Sequence, residues 1–224
     1  MKGFVKEFKK RAGQINWIEF SILLVVSVLL LLLDLFSKQY VYHKYIDTYL
    51  QDPYFSVSVI PHLFNLTLAF NKGAAWSVGF GMVGLLSMVS LIAGIVLLFA
   101  FFYYFKPVGR VGRICLALAI AGDFGNLIDR FGCWMQKGIY KDGVVDFITF
   151  DFWKSFPTFN LADSYLVIAV FILIVYFIYL MIKRKTVAKK VEEESQKDEK
   201  KDDFMKRLSE KQSDASVKDK DPKE

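Results

Sequence analysis

The sequence predicts a membrane protein of four transmembrane α-helices with a small extracytoplasmic β-sheet at the outer face of the bilayer. Three features carry this expectation. Hydrophobic residues make up 54% and aromatic residues 17% of the 224-residue chain, above the composition of ordinary soluble domains. They gather into long runs, and lysines and arginines fill the short gaps between them. One of the connecting stretches alternates in polarity with the period of a strand, and a second is β-like.

The elements follow in order. Residues 1–16 form a basic leader with Lys2, Lys6, Lys9, Lys10 and Arg11. Trp17 to Phe36 carries only Glu19 and Asp34, Met82 to Phe105 carries no charge, and Ser164 to Ile182 carries none. Each is long enough to cross a hydrocarbon core of roughly 30 Å at about 1.5 Å per residue. A shorter run, Ile114 to Ile128, holds Asp123 and continues through Asp129 and Arg130, whose polar ends suit a headgroup zone or a cavity; it supplies the remaining span. The membrane domain covers residues 17–182, with outer connections at about 37–81 and 131–163. The first span ends in Asp34 and Lys38 rather than in a small-x-small site, so it reads as an uncleaved helix rather than a signal peptide.

Orientation comes from the cations, because lysine and arginine resist translocation. The leader, the link with Lys106, Arg110 and Arg113, and Lys183-Arg184-Lys185 after the last span belong in the cytoplasm. Both termini are then inside and both long connections outside. The net charge of +6 follows from this distribution, and no nucleic acid is needed to explain it. The tail, 183–224, is charged in both signs and nearly free of aromatic residues, which predicts disorder or a frayed cytosolic helix.

In the first outer connection, Phe64, Leu66, Leu68 and Phe70 alternate with Asn65, Thr67, Ala69 and Asn71, the pattern of a half-buried strand. The second holds a β-like stretch, Val144 to Phe152, in which Asp146 shares parity with Val144, Ile148, Phe150 and Phe152. An acid on an otherwise apolar face is the anomaly of this chain.

Polar residues from four separate stretches converge on one level. Asp34 and Lys38 end the first span at i,i+4. Asn126, Asp129 and Arg130 end the third, preceded by Gly122 and Gly125, which allow close helix approach. Asn160 and Asp163 open the last span, and Asp146 precedes them in the second outer connection. Each has a plain structural account: an anchoring ion pair for Asp34 and Lys38, an interfacial place for Asp129 and Arg130, an N-cap for Asn160 or Asp163, and an edge position for Asp146. Their joint arrangement points instead to a site, because acids at a membrane boundary are costly without a role. A small transporter or channel would spread its ionisable groups over several depths, whereas only Glu19 and Asp123 lie away from this level; a scaffold would need no acid at position 146.

The segments Asp34-Leu-Phe-Ser-Lys38, Asn71-Lys-Gly-Ala-Ala-Trp76, Gly125-Asn-Leu-Ile-Asp-Arg130, Val144-Val-Asp-Phe147 and Phe159-Asn-Leu-Ala-Asp163 resemble, in order and position, those of bacterial lipoprotein signal peptidase, or signal peptidase II. The resemblance covers about Trp17 to Ile182. It implies a four-helix membrane aspartyl protease with a small extracytoplasmic sheet, in the bacterial cytoplasmic (inner) membrane, its active site toward the extracytoplasmic face. It implies Asp146 and Asp163 as the catalytic pair, with Asn71, Gly73, Asn126, Arg130 and Asn160 binding substrate or organising the site and Asp34, Lys38 and Asp129 in support. The implied substrate is a prolipoprotein whose lipid-modified cysteine follows the scissile bond. Membrane phospholipids are the expected surroundings, and nothing demands more than a monomer.

Three departures from the family pattern stand out: Asp123 where a small residue is usual, a longer stretch from Phe131 to Gly143, and the charged tail. No metal or other cofactor is expected, since His43 and His62 have no Cys or His partner at ligand spacing. Cys115 and Cys133 would lie roughly 27 Å apart along a helix, too far for a disulfide.

Overall fold

The computed structural model describes residues 2–73 and 81–187. Contacts divide the chain into two units, residues 1–174 and 175–224, and the architecture below is that of the first. Its leader is a helix, α1 (Lys2–Ala12). Then follow α2 (Trp17–Gln51), β1 (Val57–Ile60), β2 (Phe64–Asn71), α3 (Val83–Tyr103), α4 (Gly109–Trp134), a 3-10 turn (Gly138–Tyr140) and β3 (Val144–Phe150). The last helix, α5, runs over Leu161–Val187. Four of these helices, α2 to α5, are long and apolar enough to cross a membrane.

The predicted spans exist, with different limits. α2 has 35 residues, about 52 Å of helix, well beyond the hydrocarbon core. Asn16 caps its start by accepting the Glu19 N–H, and no glycine or proline interrupts it before Pro53. About the first third of what the sequence reading assigned to a connection, residues 37–51, is therefore helix. Its projecting part carries Val41, Tyr42, Tyr45, Ile46 and Tyr49, an apolar stripe at helical spacing, and this stripe packs on the sheet with Phe55, Leu68, Val145 and Phe147. α4 likewise exceeds the predicted Ile114 to Ile128 at both ends. The long stretch after Phe131 holds the end of α4 and the 3-10 turn. Residues 183–187 continue α5; the rest of the predicted disordered tail lies outside the described residues, as does the Ala74-Ala75-Trp76 part of the second motif.

The sheet has three antiparallel strands in the order β1-β2-β3. β1 is one more than the sequence pattern revealed, a four-residue strand exposed throughout. β3 ends at Phe150 rather than Phe152. The single face expected for Phe64, Leu66, Leu68 and Phe70 does not exist. Leu66 pairs with Ile148 and Ala69 with Asp146, so β2 advances three residues while β3 advances two. That β-bulge reverses the side-chain parity. Phe64 and Leu66 lie on the Asp146 face, Leu68 and Phe70 turn to α2, and Asn71 comes back to the Asp146 face.

α4 is the centre of the bundle. It contacts α2, α3 and β3, and half of its most apolar window is buried, against 11% for α2 and α5. Small residues make that centrality possible. A Cβ at Gly125 would stand 2.6 Å from Asp34 Oδ2 and 2.9 Å from Ala162 Cβ, and one at Gly122 only 2.5 Å from the Ala162 carbonyl oxygen, so both α2 and α5 press against α4 where it lacks side chains. Ser27 of α2 adds a 3.0 Å hydrogen bond to the Ala117 carbonyl. At the end away from the sheet, Ile15, Phe101, Phe105 and Ile120 form a second apolar cluster, and Glu19 pairs with Arg113. α1 meets α3 there through Phe8 stacked on Phe102 at 4.9 Å and Arg11 over Tyr103 at 4.3 Å.

Candidate active site

Two polar layers meet where the sheet joins the bundle. The deeper one is an ion cluster. Lys38 Nζ lies 2.7 Å from Asp34 Oδ2 and 2.8 Å from Asp129 Oδ2, with all three side chains fully buried. The i,i+4 pair expected at a helix end is thus formed, but inside the protein rather than at the interface, and Asp129 turns inward to join it. Asp34 Oδ1 also accepts the Ala162 N–H at 2.9 Å, tying α2 to the first turn of α5.

Lys38 also donates to Asn126 Oδ1 at 3.3 Å. An ammonium has no acceptor capacity, so this contact fixes which way the Asn126 amide faces. Its NH₂ is then turned to Asp163, where Nδ2 donates to Oδ1 at 2.7 Å. The buried lysine orients an amide, and the amide holds a carboxylate.

Asn160 is the hub of the upper layer. β3 positions it: the chain returns along that strand, with the Phe159 N–H and carbonyl both bonded to Ile148, and delivers Asn160 to the N-cap of α5. Its side-chain oxygen accepts the Asp163 N–H at 3.0 Å, and Asp163 Oδ2 accepts the Asn160 N–H at 3.1 Å, a reciprocal cap. The capping role considered for these residues is real and coexists with membership of the site. The amide orientation set by that cap points the Asn160 NH₂ at Asp146 Oδ1, 2.6 Å away, and at Asn126 Oδ1, 3.1 Å away. Asn71, returned to this face by the bulge, donates to the other Asp146 oxygen at 3.2 Å and is itself braced by the Gly73 N–H at 2.9 Å.

Asp146 and Asp163 therefore belong to one hydrogen-bonded network in which every donor to the two carboxyls is an amide. Asp146 is 3% exposed. Burial, and then the charge of Asp163, raise its pKa well above the ordinary 3.8, the expected response of a carboxyl that cannot ionise cheaply beside another. Both acids open on a cavity of about 850 Å³, whose walls are otherwise mostly apolar and include Phe64, Leu66, Ile148, Phe150 and Leu166. Arg130 lines the same cavity. A buried, partly neutral carboxyl beside a second carboxylate, on a cavity with apolar walls, is suited to acid–base chemistry on a water molecule.

All ten residues proposed from the sequence are brought together here, in one layer or the other. The reading missed the Ala162 N–H, which leaves no mark in a sequence because it is backbone, and Ser90, whose Oγ accepts from Arg130 Nη1 at 3.1 Å. Ser90 and Gly94, small residues one turn apart in an apolar helix, were the available signal. Cys115 and Cys133 are buried free thiols.

A sequence profile described as signal peptidase (SPase) II matches residues 26–179. A lipoprotein signal peptidase of Borreliella afzelii (strain PKo) is 34% identical over 168 residues, 72% of this chain and 91% of its own length. One from Staphylococcus aureus (strain Newman) is 37% identical over 121 residues, 54% of this chain and 69% of its own. A bacterial membrane enzyme solved by the in meso method at 2.3 Å resolution superposes with a TM-score of 0.55 at 27% identity, covering 71% of this chain and 88% of that one. Since the matched region takes in every residue of the polar network, the chain belongs to the signal peptidase II family, a family of membrane proteases.

Proposed function

We propose that this protein is an aspartyl endopeptidase that removes signal peptides from lipid-modified prolipoproteins, cutting on the N-terminal side of the diacylglyceryl-cysteine. The observation that carries the reading is the pair of amide-held carboxyls, Asp146 and Asp163, opening on one apolar cavity. In the cytoplasmic membrane of a bacterium, with both termini inside, that cavity faces the extracytoplasmic side. Acyl chains then remain in lipid while the scissile bond meets water.

The pair shares one proton. It resides on Asp146, the carboxyl whose burial disfavours charge, while Asp163 takes a proton from a water molecule as that water attacks the scissile carbonyl carbon. Asp146 gives its proton to the carbonyl oxygen, which produces a neutral tetrahedral diol. Collapse reverses the roles. Asp146 removes a proton from one hydroxyl, Asp163 protonates the departing nitrogen, and the C–N bond breaks to give a carboxylic acid and the free amine of the cysteine. Asn71, Asn126 and Asn160 hold both carboxyls in place throughout, and no metal or thiol takes part.

The test uses the purified full-length protein and a lipid-modified precursor. Asp146→Asn and Asp163→Asn each lower turnover by about a hundredfold or more, with thermal unfolding near that of the wild type. Activity survives chelators and the combined Cys115→Ser and Cys133→Ser substitutions. Substantial turnover by either asparagine variant defeats the dyad, chelator-sensitive activity restored by added metal defeats the metal-free mechanism, and equal cleavage of an unmodified precursor defeats the substrate assignment.

A further inference from the structure

Asp123 interrupts the apolar middle of α4, and no step above uses it. It is 9% exposed, and a carboxylate is costly in such a place unless something compensates it. The compensation comes from α3 and from farther along α4. A Cβ at Gly94 would fall 2.8 Å from Asp123 Oδ2, so α3 is hollowed where the carboxylate sits. Ser90, one turn away, and the charge of Arg130 both act on the Asp123 side chain. Arg130 Nη1 donates to the same serine hydroxyl at 3.1 Å. A guanidinium only donates, so the serine oxygen receives from Arg130, which leaves its O–H to give to the neighbouring Asp123 carboxylate. Asp123 and Arg130 are seven residues apart, two turns of one helix, and so share the stripe that faces α3.

Arg130 is half-buried at the wall of the cavity that holds Asp146 and Asp163. A guanidinium on the same cavity as two carboxyls is open to pairing with them, since bidentate Arg–carboxylate contacts are among the strongest polar pairings available. Another anion behind it changes that outcome. We propose that Asp123 and Ser90 are positioning residues for Arg130, a buried serine-bridged counter-charge that holds the guanidinium against α3, off the two aspartates and facing the cavity, where it receives carbonyl oxygens of the bound precursor's backbone. This rests on the reading of the site given above.

The experiment is a mutant cycle on the full-length protein with the lipid-modified precursor, comparing wild type, Asp123→Asn, Ser90→Ala, Ser90→Thr, Arg130→Lys and Asp123→Asn combined with Arg130→Lys. Asp123→Asn and Ser90→Ala are each expected to lower kcat/KM by about tenfold, as slight misplacement of a substrate-contacting group does. Ser90→Thr keeps the hydroxyl and stays near wild type. In the Arg130→Lys background, Asp123→Asn costs less than about twofold, because a residue that acts only through Arg130 has little left to position. The same loss in both backgrounds assigns Asp123 a merely structural role and overturns the proposal, as does unchanged activity of Asp123→Asn in a wild type that cleaves well. If Asp123→Asn proves unfolded by thermal denaturation, equal activities of Ser90→Ala and Ser90→Thr overturn it instead. A wild type that does not cleave the precursor removes the proposed function first and this inference with it.

Discussion

Two pairs of aspartates lie side by side in this protein, and they differ in what neutralises them. Asp34 and Asp129 share Lys38 across 2.7 and 2.8 Å in a fully enclosed cluster. Asp146 and Asp163 are held by the side-chain amides of Asn71, Asn126 and Asn160, and among the described residues no lysine or arginine forms an ion pair with either. A cation beside a carboxylate favours its charged form, and here Lys38 ties both acids into a fixed, enclosed cluster. An amide fixes its place and leaves the proton free to move. Identical side chains in adjoining layers thus become scaffold or proposed reagent according to the donor each is given.

The largest expected effect comes from breaking the compensated side. Lys38→Met leaves two uncompensated buried carboxylates and is expected to destabilise the protein by about 3–5 kcal/mol, read from chemical or thermal unfolding in detergent. It also removes one of the two donors that orient the Asn126 amide, so cleavage falls even where the variant remains folded. A Lys38→Met protein as stable and active as wild type erases the contrast drawn here.

Next is a steric test of the same junction. Gly125→Ala places a methyl group 2.6 Å from Asp34 Oδ2, and α2 and α5 must part to admit it, at about 1–3 kcal/mol. Unfolding indistinguishable from wild type would show that the approach of the three helices is slacker than these distances require.

A smaller effect sharpens the uncompensated side. The raised pKa of Asp146 means that the fold favours its neutral form, so its contribution to stability is complete below about 3.8 and is lost as pH rises through the raised value. Asp146→Asn cannot ionise. The unfolding temperature of the variant relative to wild type is therefore expected to rise with pH, and a constant offset across the range would mean that burial does not penalise this carboxylate. For the wild type, the same titration predicts a fall in turnover toward alkaline pH. The smallest effect is expected from deleting residues 188–224, which lie outside the described structure: turnover in detergent within about twofold of wild type, since every candidate site residue precedes them in the chain and charged termini tolerate change.

Much of this was legible beforehand, and for physical reasons. Hydropathy reveals spans because lipid forbids uncompensated charge, and the acids that break the rule mark the site. Asp146 was conspicuous because Val144, Ile148 and Phe150, its parity neighbours, are apolar, and all three line the same cavity. The outward extension of α2 was hidden because Val41, Tyr45 and Tyr49 follow a helical period in a segment already assigned to a connection. β1 was hidden because four exposed residues carry almost no pattern. The enclosure of Lys38 was illegible in principle: the i,i+4 spacing to Asp34 predicts a pair, and only the arrival of Asp129 and Asn126 from α4 decides whether that pair meets water.

The bulge between Leu66 and Ala69 makes this strand sensitive to counting. Composition there is negotiable, because one apolar residue replaces another on either face with modest repacking, but removing or adding a single residue would slide Asn71 onto the α2 side and carry Phe70 to Asp146, exchanging a hydrogen-bond donor for a ring. Insertions and deletions, usually the best tolerated changes at a protein's periphery, are in these four positions the most damaging. A chain that drifts freely in identity along β2 must keep its length.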